Sequence, residues 1–124
     1  MNLVDSSGWL EYFTDGKNSE IFGKPLNNKE ELIVPSITLY EVFKVVLRER
    51  DENAALQVIA TMQQSNVIEL TSEIAVHAAK LSYEKKLPMA DSIILATGIL
   101  YNAIIWTQDS DFKNISGVKY FSKK

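Results

Sequence analysis

The sequence predicts an α/β fold, a small parallel sheet flanked by helices in three α/β/α layers. Two patterns lead to that expectation. Short runs rich in Val, Ile and Leu alternate along the chain with longer segments whose apolar residues recur every three to four positions. The short runs carry helical segments between them, so neighbouring strands run parallel and both sheet faces are covered. A length of 124 residues suits one domain, 1–124, built around a shared core.

Asn2-Leu3-Val4 reads as the first strand, ending at Asp5-Ser6-Ser7, after which Trp9, Leu10 and Phe13 take helical spacing. Residues 14–31 are polar and turn-rich, a connector with room for a short helix at 19–26. Leu32-Ile33-Val34-Pro35 is the second strand. From Ser36 a helix follows through Leu39, Val42, Phe43, Val46 and Leu47, and another covers 53–64. Residues 67–70 supply a brief strand, and Thr71-Ser72-Glu73 opens a helix with Ile74, Ala75, Ala78, Leu81 and Tyr83 on its inner face. Residues 89–101 are nearly all apolar, as in a helix buried on most sides. Residues 103–107 form a strand, 108–112 a polar turn, and 118–121 the last strand before the basic tail.

Composition narrows the chemistry. Apolar residues at 46% and charged residues at 23% are ordinary for a globular domain. Thirteen Lys and Arg against sixteen Asp and Glu give a net charge of −3, which excludes a large basic nucleic-acid-binding surface. Cysteine is absent, so disulfides, thiolate zinc sites and cysteine nucleophiles are excluded, and a reducing cytoplasmic setting is expected. No signal-peptide pattern opens the sequence and no apolar run is long enough to span a bilayer, so no membrane role is expected. His77, the single histidine, rules out mechanisms that need two imidazoles and falls on the polar face of its helix.

In an open parallel sheet, ligands bind beyond the carboxyl ends of the strands. Asp5 ends the first strand, Glu41 lies early in the helix after the second, Asp91 opens the apolar helix, and Asp109 and Asp111 follow the strand ending at Thr107. Singly, each has a structural explanation. Asp5 suits a helix cap, Thr38-x-x-Glu41 a capping box, Asp91 a helix dipole, and Asp109 and Asp111 a turn. Capping does not explain an acid in almost every crevice-facing turn, whereas a shared ligand does. Oxygen-only donors suit Mg²⁺ or Mn²⁺, which take further ligands from phosphates, so phosphodiester hydrolysis is the implied chemistry.

The stretches Val4-Asp5-Ser6-Ser7, Ser36-Ile37-Thr38-Leu39-Tyr40-Glu41-Val42, Met89-Ala90-Asp91-Ser92-Ile93-Ile94-Leu95-Ala96 and Trp106-Thr107-Gln108-Asp109-Ser110-Asp111-Phe112 occur in this order. Together they resemble the PIN-domain ribonucleases, above all the VapC-type toxins of type II toxin–antitoxin pairs. The resemblance implies a PIN-like fold with an acidic pocket for one or two Mg²⁺ or Mn²⁺ ions. The catalytic quartet falls on Asp5, Glu41, Asp91 and Asp109, with Asp111 a further metal ligand and Ser6 and Thr107 as supporting polar residues. Asp109 is favoured over Asp111 as the closer ligand. Glu41 either binds metal through water or orients the attacking water. An RNA substrate, a cognate antitoxin protein and a homodimer are the implied partners.

Other classes fit less well. A phosphatase of the haloacid-dehalogenase type wants a second Asp where Ser7 stands, and a receiver domain wants a phospho-accepting Asp where Glu69-Leu70-Thr71 offers none. The remaining alternative is a non-catalytic PIN-like module that only holds a partner protein. Lys44, Arg48, Lys85, Lys86 and Lys113 read as solvated charges, with a secondary reading as phosphate contacts.

Overall fold

The computed structural model describes residues 1–124 and contains a five-stranded, wholly parallel sheet. In chain order the elements are β1 (Asn2–Val4), α1 (Ser6–Phe13), α2 (Ser19–Leu26), β2 (Leu32–Pro35), α3 (Ser36–Glu49) and α4 (Glu52–Met62). They continue with β3 (Asn66–Ile68), α5 (Ser72–Lys85), α6 (Met89–Leu100), β4 (Ile104–Thr107) and β5 (Val118–Tyr120). Single 3₁₀ turns occur at Lys29–Glu31 and Ser110–Phe112.

The strand order is β3-β2-β1-β4-β5. The chain therefore builds outward from β1 to one edge, then returns to lay β4 on the other side of β1. The reversal opens a crevice between the carboxyl ends of β1 and β4, where Val4 lies opposite Trp106.

Strand residues alternate between two cores, which makes the fold three-layered. Leu3, Ile33 and Ile105 join Ile94, Leu95 and Phe112 on the α5–α6 side. Val4, Leu32 and Val34 join Trp9, Phe22, Val42 and Met62 on the side of α1 to α4. Every β2 residue is buried, as a central parallel strand requires. No helix is long and apolar enough to cross a membrane.

Several local expectations change. The third strand covers Asn66–Ile68 rather than 67–70, because Asn66 pairs with β2 and its Nδ2 also donates to the Leu32 carbonyl at 3.1 Å. On α5, Ala75 is exposed and Tyr83 is 87% exposed, so the inner face is the narrower stripe of Ile74, Ala78 and Leu81. His77 is half-buried. The last residues of α6, Ile99 and Leu100, emerge from the core, so burial covers only Asp91 to Gly98. Within the polar turn after β4, Phe112 is completely buried and anchors the turn to the α5–α6 core.

Gly8 shows how tightly α1 sits on the sheet. A Cβ there would lie 2.5 Å from Val4 Cγ1 and 2.8 Å from the Phe22 ring. In an exposed helix, Gly→Ala stabilises by about 1 kcal/mol. At this site the overpacking dominates, so Gly8→Ala is expected to lower stability by about 1–3 kcal/mol, measured by urea denaturation.

Candidate active site and metal centre

Four separate segments deliver acids to the crevice. Asp5 leaves β1 in extended conformation and becomes the N-cap of α1. It is 2% exposed, and both carboxylate oxygens are bonded. Oδ1 accepts from the Ser7 hydroxyl at 2.6 Å and from the Gly8 N–H at 3.1 Å, while Oδ2 accepts from Thr107 Oγ1 at 2.6 Å. Asp5 therefore both caps a helix and joins β1 to β4.

Thr107 links this anchor to the next acids. Its Oγ1 donates to Asp5 and accepts from the Asp109 N–H at 2.9 Å. Asp109 in turn caps the following 3₁₀ turn, its Oδ1 accepting from the Asp111 N–H at 2.9 Å. The buried Asp91 arrives from the first turn of α6. Asp91, Asp109 and Asp111 each present a carboxylate oxygen, and these oxygens lie within 4.8 Å of one another.

Glu41 takes no part in the expected capping box. Pro35 occupies the cap position of α3 and no side chain caps the helix. Thr38 Oγ1 and Glu41 Oε1 are both buried without a hydrogen-bond partner. Glu41 faces the electrostatic field of Asp109 and lies beside Ser6.

Burial and mutual repulsion leave their mark on the acids. Desolvation pushes Asp5 up to about 6 against the hydrogen bonds from Ser7, Thr107 and Gly8, and the Asp109 charge adds to the rise. Glu41 is raised by burial, partly opposed by the Ser6 hydroxyl and reinforced by Asp109. Asp91 rises furthest, to about 8, through burial first, then the Asp109 charge, a hydrogen bond with Asp111, and the charges of Asp111 and Glu41.

No basic side chain forms a salt bridge with any of these acids. The pairs present join the N-terminal amine to Glu31 and Arg48 to Glu49. Lys44 lies over Tyr40 and Lys113 over Tyr120. Carboxylates about 5 Å apart repel by about 3 kcal/mol per pair at an effective dielectric of 20. An oxygen-only donor set, an orphaned buried Glu41 oxygen and no local counter-charge together fit a hard divalent cation.

The two expected supporting residues lie against different acids. Thr107 touches Asp5 directly, whereas Ser6 lies by Glu41. Ser7, part of the Val4-Asp5-Ser6-Ser7 stretch but not expected to support the acids, is the serine that bonds Asp5, and it also accepts from the Gln108 N–H at 3.1 Å. Its place two residues after a strand-ending Asp is the one local signal that could have singled it out.

The sequence matches the PIN domain family over residues 3–118, and the chain belongs to that family. A search among curated proteins found no match. Among solved structures, a toxin–antitoxin complex from Klebsiella pneumoniae is similar at 25% identity and a TM-score of 0.80, over 98% of this chain and 99% of that one. Mycobacterium tuberculosis VapC20, a sarcin-ricin loop cleaving toxin, shares the fold at 15% identity and a TM-score of 0.77, over 94% and 95% of the chains. DNA-bound VapBC from Salmonella typhimurium does so at 16% identity and 0.75, over the whole of both chains.

The raised acids fix the sign of a pH effect. Asp5 and Asp91 bind protons more tightly in the folded chain than at their ordinary value of 3.8, so the folded state holds extra protons between that value and about 6 and 8 respectively. The contribution of these two acids to stability in chelator is therefore full below about pH 4 and is lost as pH rises through about 6 and 8, with Asp5 accounting for about 3 kcal/mol. Urea denaturation at several pH values is expected to show this fall, and added Mn²⁺ to reverse much of it near neutral pH.

Proposed function

We propose that this chain is a divalent-metal-dependent endoribonuclease acting as the toxin of a type II toxin–antitoxin pair. The observation that carries the reading is the group of Asp91, Asp109 and Asp111, converged without a counter-charge at the crevice between β1 and β4. Membership of the PIN domain family and similarity to the Klebsiella toxin–antitoxin complex support it.

In this proposal Asp91, Asp109 and Asp111 hold Mg²⁺ or Mn²⁺, with Asp5 and Glu41 completing the acidic set. A bound divalent cation supplies charge that activates water and stabilises negative charge developing on a phosphodiester. In this reading Glu41, whose Oε1 is buried and unbonded, orients the attacking water and accepts its proton, a role that its raised proton affinity suits. Thr107 and Ser7 keep Asp5 in one rotamer, so the acid is held in place before substrate arrives.

An antitoxin and a second copy of the chain are the proposed protein partners, and the cytoplasm the proposed site of action. Two apolar hollows support protein partners: one of about 480 Å³ along Leu39, Phe43, Leu47 and Ile59, and one of about 600 Å³ along Leu70, Ala79, Tyr83 and Met89.

Purified chain is expected to cut RNA with Mn²⁺ or Mg²⁺ and to stop when chelator is added. Asp91→Asn and Asp109→Asn are expected to lower the single-turnover cleavage rate by about a hundredfold or more while circular dichroism shows an intact fold. A folded chain that binds protein partners yet leaves RNA intact at every metal concentration would identify a non-catalytic module instead.

A further inference from the structure

Behind the acidic centre lies a part-buried polar network that the proposed chemistry leaves unused. Gln108 stands between Thr107, which bonds Asp5, and Asp109. Its side chain is 7% exposed and points into the protein. Gln108 Oε1 accepts from Asn18 Nδ2 at 3.0 Å, and Gln108 Nε2 donates to Glu11 Oε1 at 3.3 Å. The same Glu11 carboxylate accepts from the Asn18 N–H at 2.8 Å through Oε2. Asn18, 5% exposed, also donates from Nδ2 to the Ser122 carbonyl at 3.0 Å. Three segments distant in sequence are thus closed around one amide.

Gly16 makes room for this arrangement. A Cβ at residue 16 would fall 2.3–2.5 Å from the Glu11 carboxyl atoms, so only glycine leaves that carboxylate its place. Glu11, half-buried, forms no salt bridge, and the groups bonded to it are amide N–H donors. With one bond on its oxygen and one on its nitrogen, the Gln108 amide is held in one orientation.

From this we infer that Gln108 is a positioning residue for the acidic centre, held in register by Asn18 and Glu11. The inference rests on the metal-centre reading above. Gln108 is clamped at both ends: its N–H donates to Ser7, and its side chain is held by the network. A trans peptide fixes the distance from Gln108 to the next Cα at about 3.8 Å, so a shift of Gln108 carries Asp109 with it. Groups that orient metal ligands from behind are worth about 10- to 100-fold in metal affinity.

Donor and acceptor can be exchanged across the Gln108–Glu11 contact, which gives a clean test. Q108E sets a second carboxylate against Glu11, whereas Q108E combined with E11Q restores the contact with donor and acceptor reversed and leaves Asn18 donating to both side chains as before. The full chain is titrated with MnCl₂ by calorimetry, with circular dichroism as the fold check. Q108E is expected to weaken Mn²⁺ binding tenfold or more, and the double variant to return to within about threefold of wild type. Wild-type affinity in Q108E, or a double variant as weak as Q108E, overturns the inference. Should Q108E not fold, Gln108→Met keeps the volume and removes both bonds: a tenfold loss supports the inference and unchanged affinity overturns it. Wild-type chain that binds Mn²⁺ without cutting RNA counts against the nuclease reading alone. Wild-type chain that binds no Mn²⁺ removes both.

Discussion

The structure is organised around carboxylates held closer together than their charges favour. Asp91, Asp109 and Asp111 converge within 4.8 Å, with the charges of Glu41 and Asp5 near enough to be felt, and no lysine or arginine compensates them. Such a group persists only if the backbone around it is fixed by interactions that do not involve the acids themselves. The two apolar cores supply that fixity. Leu3 and Val4, consecutive on β1, anchor into opposite cores, and Phe112 ties the loop carrying Asp109 and Asp111 to the α5–α6 side.

Sheet order explains why the acids meet at all. Because β1 is central and the chain, having built out to β3, returns to lay β4 on its other side, the ends of β1 and β4 are adjacent although about a hundred residues separate them. Asp5 and Thr107 then follow paired strand residues, and a 2.6 Å hydrogen bond joins them. The helices contribute by where they begin. α3 and α6 both start near the crevice, so an acid in the opening turns of either points toward it, and α3 packs against α6. Ligand position is a consequence of topology here, with loops adding only short connections.

The layers and most elements were legible in the sequence because buried parallel strands are apolar throughout and amphipathic helices repeat every three to four residues. Tyr83 shows where periodicity misleads: an aromatic at helical spacing satisfies the pattern, yet it projects into solvent beside the apolar hollow of α5 and α6. The acids stood out as candidates because each lies within a turn or two of a strand's end or a helix's start. Their uncharged supports did not. Gln108 and Asn18 are common polar residues that bond each other across 90 positions, and nothing local distinguishes them from surface residues, while Ser7 is marked only by its nearness to Asp5. Nor does sequence reveal that Pro35 usurps the cap of α3 and leaves both Thr38 and Glu41 without the bonds a capping box provides.

The unformed capping box bears on how one residue type serves two ends. Asp5 stabilises the fold through its N-cap bond and so is already committed on both oxygens, while Glu41 contributes no hydrogen bond to its helix and keeps Oε1 unbonded. A carboxylate held by three donors is rigid, whereas a carboxylate oxygen buried without a donor is costly to the fold and open to a ligand. Both kinds occur in the one crevice. The donor-held acid sets the geometry, and the stability lost in burying Glu41 and Asp91 among like charges is offset when positive charge enters the crevice. In the folded chain that requirement favours a small hard cation, which can approach oxygens from several segments at once, over a side chain, which reaches them from a single direction.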